Sequence, residues 1–131
     1  MTREIKFRGK DFLGRWHYGY LHLAIGSSSL MIQVDSFDSF GVLPDTVGQF
    51  TGLLDKNGKE IYEGDIIIEK LRRARKDGER LVICFDDFEW QGKNANGATT
   101  SLSLLLEYHT IEVIGNIHDN PELLKGGSDE K

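Results

Sequence analysis

Apolar and polar residues alternate along most of this chain, and the alternation predicts short strands. Ile5 and Phe7 alternate with Lys6 and Arg8, the pattern of a half-buried strand. Trp16, Tyr18 and Tyr20 alternate with Arg15, His17 and Gly19. Side chains two apart share one face of a strand, so these three aromatics fall on one side. Leu21 to Ala24 extends the run, Gly26-Ser27-Ser28-Ser29 turns the chain, and Leu30 to Val34 returns as the second arm of a hairpin. Residues 35–41 are loop-like, with Asx and Ser turn formers. Pro44 to Val47 makes a short turn feeding a strand over Gln49–Leu54. Asn57-Gly58 then supplies two residues that tolerate positive φ, as a primed two-residue hairpin turn requires. The chain returns through Glu60-Ile61-Tyr62, and Glu63-Gly64-Asp65 is a second tight turn before Ile66–Leu71. The carboxylate of Asp65 suits bonding to nearby backbone N–H groups there.

The second half continues in the same manner. Asp77-Gly78 marks a hairpin, so residues 70–80 read as the tip of a long hairpin from Ile66–Leu71 to Leu81–Phe85, with a short helical turn as the alternative. Residues 91–98 form a polar, Gly/Asn-rich loop. Ser101–Tyr108 alternates and then turns apolar at Leu104-Leu105-Leu106, and Ile111–Ile117 is a further strand. Asn120-Pro121-Glu122 carries a helix start, with Asn as N-cap and Pro at the first helical position. Before that turn no segment holds a 3.6-residue period over three turns. The expectation is a mainly β protein. Residues 1–50 form an N-terminal β-hairpin subdomain. Residues 51–124 form a small SH3-like barrel ending in a short helical turn, and 125–131 a disordered tail.

Composition narrows the function classes. A chain of 131 residues can bury on the order of two-thirds of its unfolded surface without staples. Fifteen glycines against two prolines suit many tight turns. The net charge of −5 argues against a nucleic-acid footprint over the whole surface. Cys84 is the only cysteine, so no internal disulfide forms, and its neighbours Val82, Ile83 and Phe85 mark it as a buried strand residue. No apolar core of a signal peptide follows Met1-Thr2-Arg3-Glu4, and no run approaches the roughly 20 apolar residues of a membrane span, so a cytoplasmic protein without membrane contact is expected.

Charge is unevenly distributed. Residues 70–80 hold six of the 16 basic residues and two acids. Arg72, Arg73, Arg75 and Lys76 are therefore the candidate nucleic-acid-binding set, able to neutralise several phosphates. The plain alternative is a solvated hairpin whose cations protect a sheet edge. Trp16, Tyr18 and Tyr20 are a second candidate, an aromatic face for stacking bases; packing into a core is the commoner use of such a stripe. Phosphate-loop, dinucleotide and serine-elbow motifs are missing, and the four histidines have no metal-ligand spacing. No catalytic residue, metal or cofactor is therefore assigned. Asp87 and Glu89 would share a strand face by the i, i+2 rule, but a solvated turn after a buried strand is the commoner origin of such a cluster.

Taken together, Arg3 to Lys10, Trp16 with Tyr18-Gly19-Tyr20, the stretch Thr46 to Ile67, and Glu112 to Ile117 with Asn120 to Leu124 resemble the YopX family. The run Thr51-Gly52-Leu53 through Asp55-Lys56-Asn57-Gly58-Lys59-Glu60-Ile61-Tyr62-Glu63-Gly64-Asp65 is its most specific part. The resemblance covers nearly the whole chain. It implies a mainly β protein encoded by phages or prophages and working in the bacterial host cell. It carries no biochemical activity and no catalytic residues. Leu54, often charged in relatives, and the basic 70–80 insert depart from the pattern. The functional expectation is a non-enzymatic binding or assembly module with a protein or nucleic-acid partner, self-association being one form of assembly. A small enzyme using Asp65, Asp87 and Glu89, with or without a metal, is the alternative.

Overall fold

Alternating short strands closed by tight turns can only satisfy their backbone groups by antiparallel pairing, and that is how this chain is built. The computed structural model describes residues 4–26, 28–70 and 78–124. The chain divides into two units, Met1–Gly52 and Leu53–Lys131.

In the first half, β1 (Phe7–Lys10), β2 (Trp16–Leu23), β3 (Leu30–Gln33) and β4 (Ser39–Gly41) are followed by a 3₁₀ turn at Pro44–Thr46. With β5 (Gly48–Leu54) and β6 (Glu60–Tyr62) they form a six-stranded sheet of order β4-β3-β2-β1-β5-β6. Phe7 pairs with Gly19 and Lys10 with Trp16 in the β1–β2 register. This parity sends Phe7, Gly9, His17, Leu21, Ile32 and Phe40 to one face. Ile32 is fully buried there, and Val42 packs so closely on Gly9 that a Cβ at residue 9 would sit 2.9 Å from its own Cβ. The opposite face carries Arg8, Lys10, Trp16, Tyr18 and Tyr20.

In the second unit, β7 (Asp65–Lys70), β8 (Arg80–Asp86), β9 (Glu89–Lys93), β10 (Thr99–Ser101) and β11 (Thr110–Asn116) form a five-stranded sheet of order β10-β9-β8-β7-β11. Its core gathers Ile61, Ile67, Leu81, Ile83, Ile111 and Val113 with two leucines of a helix, α1 (Leu102–Tyr108). Here the structure departs from the barrel expected from sequence. Among the described residues the sheet stays open, with β10 and β11 at opposite edges and no closed barrel. The segment expected as a strand over 101–108 is that helix instead. Leu102, Leu105 and Leu106 recur at helical spacing, so one turn-and-a-half of helix delivers them to the core together. A strand would have split them between two faces. The helical turn near the C-terminus is present at residues 122–124. Asn120 differs from its expected role, because its Oδ1 accepts the N–H of Asn116 at 3.2 Å.

The turns explain the hairpins. Asn57-Gly58 is not a primed two-residue turn, since only Gly58 of the pair has positive φ, at 82°. The loop is three residues long, a type I turn followed by a left-handed glycine. Asp55 N–H donates to the Lys59 carbonyl at 2.8 Å and Gly58 N–H to the Asp55 carbonyl at 3.0 Å. The Asp55 Oδ1 accepts the N–H groups of Asn57 at 2.8 Å and Lys59 at 2.9 Å. The same construction recurs at Asp11–Arg15 and Asn94–Ala98, each with the acceptor side chain first and Gly14 or Gly97 at positive φ fourth. The pattern Asp/Asn-x-x-Gly-x is thus the chain's standard hairpin loop.

The primed two-residue turn lies elsewhere, between β8 and β9. Asp87 and Phe88 have φ of 50° and 65°, and Asp86 pairs with Glu89 across them. Neither residue is a glycine, and Phe88 is 96% exposed, so no packing compensates the left-handed backbone. A solvated turn was expected here, but not its primed type, because nothing in Asp-Phe signals two left-handed residues.

Glu63-Gly64-Asp65 behaves as the sequence suggests. Asp65 is buried and its Oδ2 accepts the Tyr62 N–H at 2.7 Å. Gly64 N–H donates to the Ile83 carbonyl at 2.9 Å, and its carbonyl accepts the Ile117 N–H at 2.9 Å, which seats the turn between β8 and the end of β11. Asp55 makes the longer link. Its Oδ2 accepts the Val113 N–H at 2.9 Å, joining the β5–β6 hairpin to β11. Burial pushes the Asp55 pKa up, but the N–H donors of Val113, Lys59 and Asn57 outweigh it and hold the carboxyl below its ordinary value.

Two outcomes are expected. Phe88→Gly raises stability by about 1 kcal/mol, because a left-handed non-glycine residue costs about 1–2 kcal/mol and glycine's extra unfolded-state entropy returns only part of that; a denaturant midpoint measures it. Asp55→Ala lowers stability by about 3 kcal/mol, as it strands a buried N–H on Val113 and loosens the loop. Asp55→Asn keeps the loop bonds, as Asn94 does in its own loop, but sets an amide NH2 against the Val113 N–H, so that bond is lost in it too.

Candidate functional site

The side chains that differ most from an ordinary buried sheet lie on the β1–β2 hairpin. Its loop is tied by Asp11, whose Oδ1 accepts the Leu13 and Arg15 N–H groups, both at 2.9 Å. The Asp11 Oδ2 takes Arg15 Nε at 2.9 Å and His17 Nε2 at 2.8 Å. His17 also stacks on Phe40, ring centroids 3.9 Å apart. These bonds hold Asp11 well below the usual carboxylate range, His17 contributing most and the Arg15 backbone next. The result is a stiff tip that presents Phe12 and Leu13 to solvent, 83% and 75% exposed.

Behind the tip runs the aromatic face. Register places Arg8 opposite Tyr18 and Lys10 opposite Trp16. The Arg8 guanidinium lies 4.7 Å from the Trp16 ring centroid and the Lys10 ammonium 5.7 Å from it, both within cation–π range. Arg8 is buried and Trp16 half-buried, whereas Tyr18 and Tyr20 are 46% and 69% exposed. The stripe is therefore not buried as a core. It is graded, with a packed tryptophan at one end and two open tyrosine rings at the other. His22 continues it, its Nε2 3.3 Å from the Ser39 hydroxyl. Gly19 lets β3 come close on this strand, because a Cβ there would collide with the Gln33 carbonyl.

Arg72, Arg73, Arg75 and Lys76 lie outside the described residues. Their flanks are described. β7 and β8 pair antiparallel from Ile66↔Val82 to Ile68↔Arg80, so the basic segment joins two arms of one hairpin. Arg80 donates to the Leu123 carbonyl at 2.7 Å and Lys70 pairs with Glu112 at 3.8 Å. The carboxylates considered for catalysis have separate settings. Asp65 is buried in its turn, while Asp87 and Glu89 stand on the exposed β8–β9 tip. Among the described residues no three His, Cys, Asp or Glu side chains are grouped to hold a metal ion. Cys84 is half-buried in β8, and burial pushes its thiol pKa up. No helix among the described residues is long and apolar enough to cross a membrane. Sequence reasoning missed the Asp11–His17 pair; its signal was the loop pattern Asp11-x-x-Gly14.

Comparison with known proteins places the chain in a family. The family described as YopX protein matches residues 9–125. Protein yopX from Bacillus subtilis is similar in structure, with a TM-score of 0.60, 22% identity, and 94% of this chain and 97% of that one covered. The crystal structure of protein EF1440 from Enterococcus faecalis is similar with a TM-score of 0.57 and 25% identity, covering 94% of this chain and 99% of that one. No curated protein sequence matches significantly.

Asp11 makes a pH dependence testable. Its folded pKa lies below the unfolded value of about 3.9, so its contribution is present above that value and is lost as pH falls through the folded one. Asp11→Asn is therefore less stable than the parent at pH 7, and the gap between the two narrows below about pH 4; urea midpoints across that range measure it.

Proposed function

The chain belongs to the YopX family, and we propose that it is a non-enzymatic binding module whose partner is single-stranded nucleic acid. The observation that carries this reading is the open end of the aromatic face, where Tyr18 and Tyr20 stand exposed on one strand beside cations on the next. Bases stack on such rings whatever their sequence, each stacked base contributing about 1–3 kcal/mol. Arg72, Arg73, Arg75 and Lys76 supply a phosphate-neutralising segment, as their density in an otherwise acidic chain suggests. We place the protein in the cytoplasm of a bacterial host as a phage or prophage product. A carboxylate enzyme has less support, because Asp65 serves its turn and Asp87 and Glu89 stand on an open tip. A protein partner, or a second copy of the chain, is the other reading. It is favoured by Phe12 and Leu13, two large apolar side chains held out on a hairpin tip braced by Asp11.

Fluorescence anisotropy with a labelled oligothymidylate tests the nucleic-acid reading. Tyr18→Ala with Tyr20→Ala weakens binding by about tenfold or more. Replacing Arg72, Arg73 and Arg75 by Ala flattens the salt dependence, each lost phosphate contact removing about 0.7 from the slope of log K on log salt. Absence of binding to single- and double-stranded DNA and RNA at low salt rejects it.

A further inference from the structure

The tip of the β1–β2 hairpin carries two side chains that its loop does not require. Three loops of this protein share one construction, and they differ in the two residues held inside it. These are Lys56-Asn57 in the second loop and Ala95-Asn96 in the third, but Phe12-Leu13 in the first. The bonds that close each loop run through backbone groups and the leading Asp or Asn side chain. Polar or small residues therefore serve the loop as well as apolar ones. Phe12 and Leu13 are nonetheless a pair of large apolar groups kept side by side in water.

The tip is also firmly fixed. Besides the loop bonds, Asp11 holds the Arg15 and His17 side chains, and His17 is stacked on Phe40. Where β1 enters the loop, both backbone groups of Lys10 are taken. Its N–H donates to the Thr46 hydroxyl at 2.9 Å, and its carbonyl accepts the Leu43 N–H at 2.8 Å. A braced tip has little ordering entropy left to lose when it binds. Charge selects the partner. Residues 5–34 contain four cations, Lys6, Arg8, Lys10 and Arg15, against one acid, the buried Asp11, in a chain whose net charge is −5. Arg15 stands beside the apolar pair, its Nε on Asp11 and its side chain still largely exposed. Cations flanking an apolar wedge match a nucleic acid, which sets phosphates around flat base faces.

We infer that Phe12 and Leu13 stack on the last base pair of a duplex, at the point where it opens into the single strand that Tyr18 and Tyr20 hold. This rests on the nucleic-acid reading of the aromatic face and narrows its ligand to a junction between duplex and single strand. Successive rings on β2 lie about 7 Å apart, so a strand leaving the junction passes Trp16 and meets Tyr18 and then Tyr20. At a junction the outermost base pair already shows one bare face, and covering it needs no unstacking. Inside a continuous duplex the same side chains would have to force two pairs apart. Lys10 and Arg15, at the two ends of the loop, are the tip's cations for the phosphates of the capped pair.

Anisotropy titrations of the full chain with labelled DNAs test this. The probes are an oligothymidylate, a blunt hairpin duplex, and the same hairpin with a 3′ or a 5′ oligothymidylate tail. One tailed hairpin is expected to bind about tenfold more tightly than the oligothymidylate, and the blunt hairpin most weakly. Phe12→Ser with Leu13→Ser removes that advantage and leaves oligothymidylate binding unchanged. It also leaves the salt dependence of the tailed complex as it was, because no phosphate contact is lost. Ile25→Ser, which removes a fully exposed apolar side chain beyond the opposite end of β2, keeps the advantage. Equal binding of tailed hairpins and oligothymidylate, an advantage that survives in the tip variant, or an equal loss in Ile25→Ser overturns the inference while the aromatic face stands. A parent chain that binds none of the DNAs at low salt rejects the nucleic-acid reading and the inference with it. A tip variant that loses self-association in sedimentation but keeps the junction advantage assigns the tip to a second copy of the chain and overturns the inference alone.

Discussion

The carboxylate of Asp55 is the interaction on which the second unit most depends. One oxygen closes the β5–β6 loop on itself and the other reaches 58 residues along the chain to the Val113 N–H. Lys56 N–H adds a bond to the Ile111 carbonyl at 3.0 Å. A short hairpin is marginal alone. Anchored to β11 in this way, it delivers Ile61 to a core that otherwise belongs to the sheet and α1. The adjoining Gly64 turn repeats the principle, using backbone groups in place of a side chain.

How much was legible in the sequence depends on whether the signal was local. Strands with clear alternation, such as Trp16–Leu23, and the Gly64-Asp65 turn could be read directly, because side-chain parity and a turn-forming Asp are properties of a few neighbouring residues. Loop geometry was read only halfway. Asn57-Gly58 marked a hairpin correctly, but the controlling residue is Asp55, two positions upstream, which chooses a three-residue loop. The segment 101–108 misled because a seven-residue helix spans only about two turns, too few for its period to stand out, and its identity follows from which leucines the core demands. Barrel closure depends on edges meeting in space, which no local pattern encodes. At the aromatic face, sequence gave the alignment of Trp16, Tyr18 and Tyr20, while the exposure of only the two tyrosines is a tertiary property.

The first sheet shows how one periodicity can serve two purposes. Its inward face is apolar around Ile32 and closes on Gly9 and Val42. Its outward face alternates cations from β1 with aromatics from β2. Packing Arg8 and Lys10 against Trp16 offsets part of the cost of covering cations and leaves the tyrosines as the reachable part. Gly19 is the hinge of this compromise, since any side chain there would push β3 away from the strand that bears the face.

The repeated Asp/Asn-x-x-Gly-x loop also sets an order of assembly. At Asp11, Asp55 and Asn94 every bond that defines the loop spans four residues or fewer. Closing so short a loop takes on the order of tens of nanoseconds and carries little entropy cost. Three hairpins can therefore form independently and early. The Asp55–Val113 bond must wait until the chain between them has collapsed, so the same side chain that starts a hairpin also registers its completion.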